Sequence, residues 1–166
     1  MLVFMKTKMM FPVLAGCVVA LVITGMWFAF IRTSTPAFPE LESGLETTFF
    51  KSFSCGCCGL HASYLKSKGG LDVKVVDMAD VSVKKRELNI PASMQSCHTA
   101  VIGNYFVEGH IPLEAVEKLM AEKPDIAGIA MPGMPSGSPG MTGGKTGPFI
   151  IYAVNKDGST YTFVTL

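Results

Sequence analysis

Polar and apolar positions divide the chain into an uncharged N-terminal run and a longer stretch of short, alternating segments. Lys6 and Lys8 precede 23 uncharged residues, 9–31, and Arg32 closes the run. About 20 apolar residues cross a bilayer as a helix, so the run predicts a transmembrane anchor. The basic residues before it outweigh Arg32 after it, which predicts the amino terminus inside and the body of the chain outside. Two alternatives are a secretory signal cut near Ala37 and a lipoprotein box, Leu14-Ala15-Gly16-Cys17. The first needs an apolar core of only roughly 7–15 residues. In the second, Cys17 would be followed by a polar tether, whereas residues 18–31 are uncharged. The expected organisation is an anchor over 1–32, a linker rich in proline over 33–44, and one domain over 45–166.

Beyond the linker the pattern changes period several times. Residues 47–53 (TTFFKSF) read as a strand, 60–68 (LHASYLKSK) as a helix stopped by Gly69-Gly70, and 71–78 (LDVKVVDM) as a half-buried strand with alternating apolar positions. This is a β-α-β unit. Residues 81–88 predict a short helix ended by Pro91, and 99–102 with 105–108 a hairpin around Gly103-Asn104. Pro112 starts a helix over 113–122, with Leu113, Val116, Leu119 and Met120 on one face. Residues 148–154 and 160–165 close the chain as a hairpin around Asp157-Gly158. The fold class is α/β, a central mixed sheet with flanking helices. Between the last helix and the last hairpin, 127–147 holds seven glycines, three methionines and three prolines, a composition for a functional or disordered segment.

Four of the five cysteines lie in two short pieces, Cys55-Gly56-Cys57-Cys58 and Ser96-Cys97-His98. The spacing does not match a zinc knuckle, which pairs cysteines and repeats the pair. Cys55 and Cys58 form a C-x-x-C frame at a strand-to-helix turn, as in thioredoxin-like redox motifs, where a helix N-terminus favours thiolate. Cys57 is an additional thiol inside that frame. Thiolates are soft ligands suited to Cu(I), zinc and iron-sulfur clusters, and adjacent ones bridge neighbouring ions. The motif therefore supports soft-metal binding or thiol-disulfide exchange. A plain structural disulfide is the blander reading, against which Gly56 and Gly59 leave the thiols little shielded. If the first hairpin pairs with the β-α-β unit, Cys97 and His98 approach the first motif.

The other candidates follow from this site. His98, adjacent to Cys97, reads as a ligand, and His110, between a strand and a helix start, as a ligand or its support. His61, on the first turn of the motif helix, reads as a surface residue. Met94, Met131, Met134 and Met141 have two readings, thioether donors to a soft metal or gap-filling core residues. From Glu40 onward the chain carries all 13 acids against 11 of the 14 bases, a net of −2, which gives nucleic acid no purchase. Lys84-Lys85-Arg86 reads as a solvated helix face. No Ser-His-Asp order, Walker-type loop or paired carboxylates point to hydrolysis or nucleotide use.

Cys55-Gly56-Cys57-Cys58-Gly59, Met94-Gln95-Ser96-Cys97-His98-Thr99-Ala100, Val107-Glu108-Gly109-His110-Ile111-Pro112 and the methionine-proline-glycine run 131–141 together resemble bacterial metal-binding proteins of the copper resistance protein CopG type. The resemblance implies a thioredoxin-like fold, a periplasmic location on or near the inner membrane, and copper efflux or other copper-handling proteins as partners. It also implies a cysteine-bridged copper cluster, with Cys55, Cys57, Cys58 and Cys97 as thiols and His98 and His110 nearby. Copper as Cu(I)/Cu(II) is the expected metal, silver or zinc the alternatives. The chain departs from the family in having His61 where a tryptophan is common and Thr142 where an acid follows the last methionine.

Overall fold

The computed structural model describes Leu41 and residues 44–166. The predicted anchor lies outside the described residues. Among those residues no helix is long and apolar enough to cross a membrane.

Seven strands form one mixed sheet among the described residues, with spatial order β2-β1-β3-β4-β5-β6-β7. They are β1 (Glu46–Ser52), β2 (Asp72–Met78), β3 (His98–Ile102), β4 (Tyr105–Glu108), β5 (Gly128–Ala130), β6 (Ile150–Val154) and β7 (Thr160–Thr165). The helices are α1 (Gly56–Gly69), α2 (Ser82–Glu87) and α3 (Leu113–Glu122), with a 3-10 turn at Ala92–Met94. β1 pairs parallel to β2, as a β-α-β unit requires, and antiparallel to β3 on its other side.

The α1 helix begins earlier than its apolar pattern predicts, at Gly56, because the cysteines themselves occupy its first turn. Its buried residues are Cys58, His61, Ala62 and Leu65, spaced three and four apart as one helix face demands. The predicted bounds of α3 agree with the structure, and Leu113, Ala115, Val116 and Leu119 are buried. The α3 face, the α1 face and the sheet meet in a core containing Phe49, Leu65, Ile102, Ile111, Leu119, Ile129 and Ile151, all fully buried. Burying a side chain such as Leu65 or Phe49 stabilises by about 1.5–3 kcal/mol.

Three local expectations are corrected. The second strand is an edge strand, with Asp72, Lys74, Val75 and Asp77 exposed, because only β1 flanks it. Lys85 does not share the solvated face of its neighbours: it is buried and ion-paired with Glu108. The glycine-rich stretch contains a strand, β5, which inserts between β4 and β6. Three residues are too few to show alternation. The close approach is legible only in space, where a Cβ on Gly128 would lie 2.2 Å from the Phe106 carbonyl oxygen.

Candidate metal centre

Strand pairing brings the two cysteine motifs together. The antiparallel register sets His98 opposite Lys51, at the end of β1 that leads into the first motif. Cys97, one residue earlier, thereby meets the first turn of α1, and the Cys58 thiol lies 4.0 Å from the Cys97 carbonyl oxygen. The next pairing sets Thr99 opposite Glu108, and the Gly109 N–H donates to the His98 carbonyl at 3.1 Å. That register carries His110 to the same side as Cys97.

Cys55 is the N-cap of α1, but its side chain makes no capping hydrogen bond and no acid stands in the first turn. The helix N-terminus therefore presents its unpaired N–H groups and positive dipole end toward the sulfurs. Cys55 and Cys58 are joined by a disulfide, and among the described residues Cys57 and Cys97 are free thiols. The Cys57 sulfur is 3.6 Å from that of Cys55. Cys58 is fully buried, contrary to the exposure that the flanking glycines predict, because it points from the helix into the core. Two donor sets result, Cys55, Cys57, Cys58, Cys97 and Cys58, Cys97, His98, His110. Within each, the candidate ligand atoms all lie within 4.8 Å of one another.

Hydrogen bonds decide which imidazole nitrogens face sulfur. His110 Nδ1–H donates to the Pro139 carbonyl at 2.8 Å, leaving the Nε2 lone pair 3.2 Å from Cys97 Sγ. His98 Nδ1 is 3.3 Å from the same sulfur, and its Nε2 is 2.8 Å from His61 Nδ1. A thiol carries one proton, so it donates to one of these two nitrogens at a time. The pocket around Cys97 is thus rich in lone pairs and short of protons, a donor set matched to a cation.

Burial pushes the Cys97 thiol up to about 11, the Ser96 hydroxyl hydrogen bond opposing it. Burial likewise lowers all three imidazoles: His61 to about 4 despite its hydrogen bond to Ile111, His98 well below its ordinary value, and His110 by a smaller step. Neutral imidazole is the form that binds metal.

Behind the site lies a buried polar cluster. Glu108 accepts from Lys85 Nζ, from the Thr99 hydroxyl and, at 2.6 Å, from the Ser96 backbone N–H. In front lies the 131–147 loop, held by the Ser96 hydroxyl on the Gly133 carbonyl and by His110 on Pro139. It packs closely on α1: a Cβ on Gly140 would lie 2.7 Å from the His61 backbone nitrogen and 2.9 Å from the Cys57 carbonyl oxygen.

All six predicted cysteine and histidine positions converge. The methionines disperse: Met131 is sealed in the core, Met94 packs against the small cluster of Ile90 and Phe106, Met141 is half-buried, and Met134 is 55% exposed. His61, read as a surface residue, is buried, because it falls three residues after Cys58 on the inward face of α1. That spacing was the available signal. Glu108 and Lys85 carried a weaker one, an acid ending an apolar run and a base in a short charged helix.

Fold and site define a mixed α/β protein with a partly buried cysteine-histidine cluster that can hold a metal ion. A family model described as "Protein of unknown function, DUF411" matches residues 94–141. Two solved structures, titled "Copper resistance protein copG" Form 1 and Form 2, are each 36% identical to the chain, with TM-scores of 0.68 and 0.69. Each match covers 75% of this chain, and 98% and 99% of those chains respectively. No curated protein matches. The chain belongs to the copper resistance protein CopG family.

Proposed function

We propose that the protein binds several copper ions as Cu(I) for metal resistance, through Cys55, Cys57, Cys58 and Cys97 with His98 and His110. The observation that carries this reading is the overlap of two four-residue donor sets sharing Cys58 and Cys97, which suits more than one ion in one pocket. The copper resistance titles of its structural relatives agree with it. Thiolates with imidazole are soft to borderline donors, well matched to copper, usable by silver or zinc, and poor for oxygen-seeking cations.

Loading requires the Cys55–Cys58 bridge to open, by exchange with an external dithiol that supplies two electrons and two protons and is itself oxidised to a disulfide, leaving two thiols here. Binding then displaces thiol protons as thiolates take the metal. The N-cap and first turn of α1 and the residue before β3 hold the sulfurs, backbone carbonyls orient His61 and His110, and His61 orients His98. Met134 and Met141, on the glycine-rich loop, and Met94 are proposed as thioether donors during metal transfer; Met131 serves the core. Imidazole suits copper in either oxidation state, so Cu(I)/Cu(II) conversion, with the electron exchanged with an external redox partner, is included among the proposed roles.

The β1-α1-β2 unit with C-x-x-C at its turn is read as thioredoxin-like. The proposed setting is the periplasmic face of the inner membrane, tethered by the segment over 1–32 and exchanging copper with efflux or other copper-handling proteins. The deciding experiment is anaerobic titration of the reduced full-length chain with Cu(I) against a competing chelator, with and without Cys57→Ser. Binding of more than one copper, reduced by the substitution, supports the reading; weak binding indifferent to Cys57 overturns it.

A second reading, thiol-disulfide exchange, is favoured by the Cys55–Cys58 disulfide at the helix N-terminus. It predicts that a dithiol substrate is oxidised as this bridge is reduced, and that Cys97, His98 and His110 are dispensable.

A further inference from the structure

The three imidazoles His61, His98 and His110 are packed against one another, with ring centroids 4.9, 5.2 and 4.7 Å apart for the pairs 61–98, 61–110 and 98–110. Only two of them present a nitrogen to Cys97. His61 is turned away: its Nε2 is 3.0 Å from the Ile111 carbonyl oxygen and its Nδ1 is 2.8 Å from His98 Nε2. Tyr64 stacks on His61 at 5.9 Å and Phe49 stacks on His98 at 4.5 Å, so both rings are clamped by aromatic faces.

The proton positions follow in order. A carbonyl oxygen only accepts, so His61 Nε2 carries the proton that binds Ile111. In a neutral ring His61 Nδ1 is then a bare acceptor. The short contact to His98 Nε2 therefore requires His98 to donate from Nε2, which leaves His98 Nδ1 without a proton. That atom faces Cys97 Sγ. Without this partner His98 has no fixed tautomer, and the form with Nδ1–H would turn a donor hydrogen toward the metal pocket instead of a lone pair.

We propose that His61 is a positioning residue that holds His98 in the Nε2–H tautomer, so that His98 Nδ1 is presented as a ligand atom to a soft metal ion beside Cys97. The Ile111 carbonyl sets His61, His61 sets His98, and the Pro139 carbonyl independently sets His110 in the opposite tautomer. Two imidazoles thereby converge on one sulfur from opposite ring edges. The metal in this inference rests on the copper reading above; the tautomer relay does not.

The test separates the two. The chain has only three histidines, so selective ring-15N-histidine labelling of the reduced, metal-free full-length chain yields long-range proton-nitrogen spectra that report each tautomer. The expected result is protonated Nε2 and bare Nδ1 for His98, and the reverse for His110. Finding His98 with Nδ1–H in the wild-type chain overturns the proposal without any variant. His61→Phe, which keeps a ring of similar size but no acceptor, is expected to release His98 from the Nε2–H form and to weaken Cu(I) binding by about 10-fold or more, the usual scale for losing a partner of a ligating histidine. His61→Asn, whose side-chain oxygen can accept from His98 Nε2–H, is expected to restore the tautomer and most of the affinity. A folded His61→Phe chain with His98 unchanged, or with the tautomer lost but affinity intact, sinks the positioning role. A wild-type chain with the expected tautomers that binds no Cu(I) upholds the relay and overturns the copper reading.

Discussion

The Glu108 carboxylate accepts a hydrogen bond from the backbone N–H of Ser96 at 2.6 Å, across twelve residues and immediately before Cys97. The same carboxylate is fully buried and pairs with Lys85, itself 3% exposed. A buried ion pair is weak evidence for net stability, but removing one partner strands the other charge, at a cost of roughly 3–5 kcal/mol. Glu108→Gln is therefore expected to destabilise the reduced chain strongly in denaturant unfolding, and Lys85→Met similarly. The double variant Lys85→Met with Glu108→Leu is expected to recover much of that loss, less the orphaned Ser96 N–H. A double-variant loss equal to the sum of the two single losses would show that the charges are not coupled.

Cys97 belongs to both donor sets, whereas Cys57 belongs to one. In Cu(I) titration, Cys97→Ser is expected to lower both stoichiometry and affinity more than Cys57→Ser does. A Cys97→Ser chain that binds as the wild type would leave the imidazole set without a role.

Acid is expected to destabilise the metal-free fold through its histidines. His61 is held at about 4 in the folded chain against an ordinary 6.5. Its neutral form is favoured by folding, so this contribution is fully present above pH 6.5 and is lost as pH falls from there through 4. A shift of this size corresponds to about 3 kcal/mol, at 1.36 kcal/mol per unit, and His98 and His110 shift in the same direction. Denaturant midpoints of the reduced chain between pH 7 and pH 4 should fall, and fall less in His61→Phe relative to its own value at pH 7.

Metal loading is expected to release protons at neutral pH, because burial keeps the Cys97 thiol protonated, up to about 11. Titration calorimetry in buffers of different ionisation enthalpy reads this directly. Heats independent of buffer would indicate that Cys97 takes no metal.

The loop over the site has its own point of contact. Gly140 has φ +82° and sits against the His61 backbone nitrogen and the Cys57 carbonyl. Gly140→Ala both strains the backbone, at about 1–3 kcal/mol, and forces the loop from α1. It is expected to loosen the Pro139 contact and mix the two tautomers of His110 in the same nitrogen spectra, while His98 stays as it is.

Local patterning was sufficient for most of the elements. The β-α-β unit, both hairpins and the α3 bounds follow from period, proline and turn chemistry, because those constraints act over a few residues. Residue type also indicated soft-metal chemistry, since clustered thiols with imidazole carry their ligand preference with them. β5 was not legible, because a three-residue strand has no period of its own and is defined by the strands on either side.

What the sequence by itself determined is therefore the segment order and the donor inventory: three thiols at a helix start, Cys97-His98 before a hairpin, and His110 after it. What only the tertiary structure decided is their mutual arrangement. Antiparallel pairing of β1, β3 and β4 brings Cys97 and His110 to the α1 N-terminus, and the inward face of α1 turns His61 from a surface residue into the partner of His98. Burial of Lys85 and Glu108 belongs to the same level. The physical reason is range: propensity and patterning are set by neighbours in the chain, whereas tautomer, burial and ligand geometry are set by groups that only folding makes neighbours.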